Sequence, residues 1–199
     1  MELERALDQI SEIRDHLARG EVYRGYRSIP VGGAGLLAIA ASVLQAMFWR
    51  AADDVAFIRY WIGVAIIGAA VSSCELAYRT IFRDAAPARW KTWRVLGQFA
   101  PSVVAAAAIT AAAVAERESL RWIPATWTLL FSVGLLATRP YMPRAVGWIG
   151  LYYLIAGTAL LASGSGLSPW PIGLVFGCGQ LALAVVLYWN IERVDAHGC

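Results

Sequence analysis

Residues 57–78 read FIRYWIGVAIIGAAVSSCELAY, and this stretch decides the fold. Nothing between Arg59 and Glu75 is charged. The segment has the length a helix needs to cross a bilayer, roughly 17–25 mainly apolar residues. A backbone N–H or C=O left unbonded in lipid costs several kcal/mol, so a spanning segment closes its hydrogen bonds within itself, as a helix does. Five further stretches read the same way. The expected spans are 30–49, 57–78, 98–115, 122–138, 144–162 and 169–189. Composition agrees: 59% of the 199 residues are apolar and 16% charged, against about 45–50% and about 25% in soluble domains. Disorder is excluded, because it needs low hydrophobicity and high net charge. The sequence therefore predicts an all-α polytopic membrane protein, a bundle of six transmembrane helices within residues 30–189.

Outward from the spans, the basic residues set the expected orientation. Thirteen of the 17 lysines and arginines fall on one side: five in the N-terminal arm, five in the second loop, Arg139 and Arg144 in the fourth, and Arg193 in the tail. Arg50, Arg59, Arg117 and Arg121 fall on the other. By the positive-inside rule, both termini are expected in the cytoplasm and the protein in a cell (inner) membrane. Residues 1–29 carry six acids and five arginines before any apolar run, unlike a cleavable signal. Leu3, Leu7, Ile10, Ile13 and Leu17 share one helical face, so the arm reads as a cytosolic amphipathic helix suited to a partner helix. Residues 190–199 read as a cytosolic tail. The even-numbered spans open with Trp61-Ile62, Trp122-Ile123-Pro124 and Trp170-Pro171-Ile172, a pattern that suits three helical hairpins in series and equally suits any alternating topology.

Spans associate by close backbone approach, since lipid tails are as apolar as leucine. Small residues recur every fourth position in the first span (Ala34, Ala38, Ser42, Ala46) and the second (Ala65, Ala69, Ser73, Ala77). Gly173-x-x-x-Gly177 marks the sixth, and the third is nearly all alanine. These stripes suit a compact bundle and a homodimer or partner membrane subunit alike.

Few polar groups are candidates for a site. Glu75 is the one acid within a span, and an intramembrane carboxylate is costly enough to suggest function. Arg79 follows one turn later in the favourable order, so an interfacial ion pair is the other reading. Gln180 lies mid-span, where Gln45, Gln98, Tyr152 and Tyr153 would join it in an internal polar cluster or serve as packing contacts. Arg59 reads as an interface anchor. Arg89, Trp90, Lys91, Trp93 and Arg94 interleave cations with indoles, which suits a surface helix on anionic lipid headgroups better than nucleic acid. Cys74, Cys178 and Cys199, with His16 and His197, make no metal-ligand spacing, disulfide framework or haem pair. No nucleotide loop, nucleophile elbow or zinc motif occurs, so no catalytic residue, metal or cofactor is expected. The acidic pair Asp53-Asp54 reads as turn chemistry.

Three runs carry a resemblance. They are Ile13-Arg14-Asp15-His16-Leu17 with Tyr26-Arg27-Ser28-Ile29-Pro30-Val31-Gly32-Gly33, then Ile123 to Gly134, then Val175-Phe176-Gly177-Cys178-Gly179-Gln180. In this order they resemble a family of uncharacterised six-span bacterial membrane proteins, from which the chain departs at Phe131-Ser132 and at Gln180. The resemblance implies a six-helix fold and a sensing or envelope-stress role. Taken together, these features lead us to expect a non-enzymatic membrane protein that binds a lipid, a small apolar ligand or a partner subunit. The alternative is a small transporter or proton-coupled carrier using Glu75 and Gln180.

Overall fold

The computed structural model of the chain describes residues 27–48, 53–82, 86–117, 119–164 and 167–193, with the side chains of 79–91 and 191 outside that description. All regular structure among the described residues is helical. The helices are α1 (Ser28–Phe48), α2 (Asp54–Phe82), α3 (Ala86–Glu116), α4 (Ile123–Ala137), α5 (Arg144–Ser163) and α6 (Pro169–Leu187). All six are long and apolar enough to cross a membrane, α4 together with the 3₁₀ turn Leu120–Trp122 before it, which makes this a multi-pass membrane protein. Of the arm expected over 1–29 and the tail expected over 190–199, residues 1–26 and 194–199 lie outside the described residues, while 28 and 29 open α1 and 190–192 belong to the π turn after α6.

Local chemistry sets several helix ends. Asp53 caps α2, its Oδ1 accepting the Ala56 N–H at 2.7 Å, which is the turn role expected of the acidic pair. Pro124 and Pro169 occupy first-turn positions, where the missing N–H is no loss. Gly164 closes α5 at φ +56°, a left-handed conformation that glycine adopts without a Cβ clash. Arg117 and Ser119 adopt the same conformation between α3 and α4, where their Cβ atoms make it costly.

Two helices outrun their expected spans. At 1.5 Å per residue, the 29 residues of α2 and 31 of α3 extend about 43 and 46 Å, past a hydrocarbon core of about 30 Å. The tryptophan- and arginine-bearing stretch 87–94 is thus the first turns of α3, continuous with the span, and not a separate surface helix. Nothing in residues 86–100 breaks a helix strongly enough to end it, and Pro101 is accommodated inside.

In space the helices follow each other around the bundle as α2, α1, α6, α5, α4, α3. The most extensive contacts are α1 with α6 and α4 with α5, while α2 and α3 barely meet. Residues 28 and 192, 164 positions apart, are joined here: the Ser28 N–H donates to Glu192 Oε1 at 2.8 Å and its hydroxyl to Oε2 at 3.0 Å. A carboxylate from the far end of the chain so occupies the positive end of the α1 dipole. It is held by the π turn Tyr188–Glu192 that ends α6. We call this the terminal end of the bundle.

Two apolar cores fill the interior. Near the terminal end, Val31, Leu135, Val146, Tyr153, Leu183 and Leu187 bring together α1, α4, α5 and α6. At the opposite end, Ala41, Val55, Phe57, Ile58, Trp61, Leu120, Ile123 and Ile172 bring in α2. Large apolar side chains such as Leu36, Ile66, Ile67, Trp148 and Ile155 point outward, while Ser42, Gln45, Thr128 and Ser132 are buried. That arrangement suits lipid, which rewards close approach of small and polar residues at helix contacts.

Candidate functional site

The tightest seam joins α1 to α6. A Cβ on Gly35 would lie 2.9 Å from the Gly177 carbonyl oxygen, and one on Gly177 would lie 3.2 Å from that of Gly35 and collide with Ile39. Gly173 faces Ser42 with no room for a side chain. Thus the sixth-span Gly-x-x-x-Gly motif and the Ala38/Ser42 stripe of the first span read from the sequence are two sides of one contact. The Ser42 hydroxyl fixes it further, donating to the Pro169 carbonyl at 2.7 Å.

The second seam, α4 on α5, works alike: Gly150 and Gly157 receive Leu136 and Leu129, and the Ser132 hydroxyl donates to the Gly150 carbonyl at 2.7 Å. An aromatic cluster ties the two seams together. The Phe131 ring lies 5.4 Å from Phe99, 4.8 Å from Tyr153 and 5.7 Å from Phe176, centroid to centroid and each edge-on. Tyr153 is 0% exposed, and its ring occupies the space that the missing Cβ of Gly179 leaves.

The expected polar cluster is not one site. Tyr152 and Tyr153 donate their hydroxyls to the consecutive α6 carbonyls of Val175 and Phe176, at 3.1 and 3.3 Å. Tyr152 is exposed and Tyr153 buried. Gln180, half-buried one turn further along α6, flanks Gly35. Gln45 lies ten residues from Gly35 along α1, about 15 Å away, and accepts the Trp61 indole N–H at 2.9 Å. Gln98, on α3, keeps a buried carbonyl oxygen without a hydrogen bond. The three amides thus lie on different helices or at different levels, Gln45 and Gln98 on α1 and α3 and Gln180 on α6.

Glu75 is half-buried on α2. Gly68, one and a half to two turns earlier, faces Ala34 and Leu37, so Glu75 lies about 10 Å beyond that level toward the terminal end. It therefore sits below Gln180, not beside it. The side chain of its expected partner Arg79 lies outside the described residues. Arg59 is exposed near the start of α2, in an anchor position. Trp93 is 70% exposed and Arg94 exposed on the first turns of α3; the side chains of Arg89, Trp90 and Lys91 lie outside the described residues. Among the described residues, no three His, Cys, Asp or Glu side chains gather as a metal site would require.

Sequence reading missed three residues that the structure makes central. In the sequence Phe131 marks a departure from the resembled family, Glu192 falls in the expected tail, and Trp61 opens an even-numbered span. Only Trp61 carried a usable signal, because a buried indole N–H needs an acceptor. Compared with known proteins, the chain matches no family model, no curated protein and no solved structure.

Proposed function

We propose that this protein acts inside the membrane by lateral helix association, with α2 presenting its small-residue face to a second copy of the chain or to a partner subunit. One observation carries the reading. The first two spans share the same four-residue spacing of small residues, yet α6 covers Ala38 and Ser42 of α1 while Ala65, Ala69, Ser73 and Ala77 on α2 all stay exposed. Small-residue faces are how helices approach in lipid, and a serine facing acyl chains gains nothing there. A carrier that routes protons or solute through Glu75 and Gln180 would need polar groups between their two levels, and among the described residues α1, α2 and α6 bury none there. The basic-residue count supports both termini facing the cytoplasm, and the resemblance to bacterial six-span proteins supports the bacterial inner membrane. Trp93 and Arg94, at the terminal end of α3, suit contact with anionic headgroups on that side.

Energy transfer between donor- and acceptor-labelled full chains in liposomes, followed as lipid dilutes them, tests this. The wild type should self-associate, and Ala69→Leu should weaken association about tenfold, a change of about 1.4 kcal/mol. Ile155→Val, on the exposed face of α5, should leave it unchanged. A wild type that stays monomeric and recovers no second membrane protein, or an Ala69→Leu variant that associates normally, overturns the reading.

A further inference from the structure

A different feature lies where α1, α2 and α6 meet, at the end of the bundle away from Ser28 and Glu192. Gln45 is 3% exposed. Its Oε1 accepts the Trp61 Nε1–H at 2.9 Å, and its Nε2 is buried without a hydrogen bond. The two atoms cannot be exchanged to relieve this, because an indole N–H only donates and requires the oxygen opposite it. The Trp61 contact therefore forces the NH2 group, with both its protons, away from Trp61 and toward the surrounding side chains.

The nearby backbone acceptors are already engaged. The Ala41 carbonyl takes the Tyr60 hydroxyl at 2.7 Å, and the Pro169 carbonyl takes the Ser42 hydroxyl at 2.7 Å. Trp61 belongs to an apolar cluster that also holds Ile58 and Ile172, all three at most 3% exposed. Arg59 and the acids Asp53 and Asp54 at the same end of α2 are exposed and stand outside this core. Buried donors in folded proteins are met by protein or by an ordered molecule, and a polar recess of this kind is where buried water is found.

We infer that the Gln45 amide is the anchor of a small enclosed site that takes one neutral acceptor oxygen. That oxygen belongs to an ordered water, or to the carbonyl or hydroxyl of a lipid inserted between α1 and α2. Neutrality follows from the burial: among the described residues no charged side chain is buried at this end, and an uncompensated charge is far costlier to bury than a dipole. Small size follows from the seam, since α6 presses on α1 at Gly173 and Ser42 with no room for a side chain. The inference stands apart from lateral association, which uses the exposed face of α2.

Side-chain amide NMR on the full chain, labelled with 15N at its four glutamines and held in nanodiscs of phosphatidylethanolamine and phosphatidylglycerol, tests it. The cross-relaxation between the Trp61 indole proton and its partner amide assigns Gln45 with no substitution at all. The expected result is cross-relaxation from the Nε2 protons to water, or to lipid protons that vanish when perdeuterated lipid replaces the ordinary one. The first outcome identifies water as the source, the second lipid, and both support the site. Nε2 protons that meet neither, or that show hydrogen-bond coupling to a protein carbonyl carbon, overturn it.

Discussion

The α1–α6 seam and the α2–α3 edge are built from nearly the same residue types and behave oppositely. Over the spanning window, 33% of residues in α1 and 39% in α6 are buried, against 22% in α2 and 11% in α3. All four helices are apolar and rich in alanine or glycine, so hydrophobicity does not separate them. What separates them is complementarity. Gly173 and Gly177 remove Cβ atoms where Ser42, Ala38 and Gly35 approach, and the Ser42 hydroxyl has a carbonyl to meet. The alanines of α3 have no such counterpart on α2. In lipid, where burying apolar surface gains little, a helix pair without matched shapes and hydrogen bonds remains apart.

The largest effect should come from spoiling the matched seam. Gly177→Leu would drive a side chain into Ile39 and the Gly35 backbone, and a denaturant titration in mixed micelles should show a loss of about 3 kcal/mol. If stability holds, the α1–α6 contact is not what secures the bundle. A smaller effect is expected at the terminal clasp. Glu192→Ala leaves the Ser28 N–H and hydroxyl without their acceptor, and the same titration should lose about 1–2 kcal/mol. High salt should reproduce only part of that loss, because the hydrogen bonds remain when the charge is screened. The smallest effect belongs to the unmatched edge. Ala69→Leu, on the exposed face of α2, should shift the stability of the isolated chain by under about 0.5 kcal/mol while weakening its association. Comparable losses for Gly177→Leu and Ala69→Leu would erase the distinction between the two regions.

The membrane spans were legible in the sequence because length and apolarity alone determine them, as the 22 residues ending at Tyr78 illustrate. Pairing was far less so. In a soluble helix, polar residues mark the outer face; here both faces are apolar, and α1 gives no sign that its partner is α6, more than a hundred residues away. Small-residue spacing includes the contact positions Ala38 and Ser42 on α1 and Gly173 and Gly177 on α6, but Ala34 faces α2, Ala46 is exposed, and the same spacing on α2 shows that it cannot name a partner. The polar candidates fared according to their range. Asp53 acts within its own turn and was read correctly, whereas Glu192 acts on Ser28 and Gln45 on Trp61, contacts that depend on how whole helices are placed. The stretch from Pro87 to Arg94 reads as a surface helix because cations and indoles interleave there, yet such a pattern does not interrupt a helix that lacks a breaker.

The claim on which the rest depends is that the first and last spans lie side by side, with Ser28 and Glu192 at one end of the bundle. A Cβ placed on Gly32 falls 3.4 Å from that of Ala184, close to the separation a disulfide needs. With Cys74, Cys178 and Cys199 replaced by serine, a Gly32→Cys, Ala184→Cys chain in native membranes should therefore form, under mild oxidation, an intramolecular disulfide that resists dilution. Failure to cross-link, or cross-linking only between separate chains, would contradict the α1–α6 pairing and the architecture derived from it.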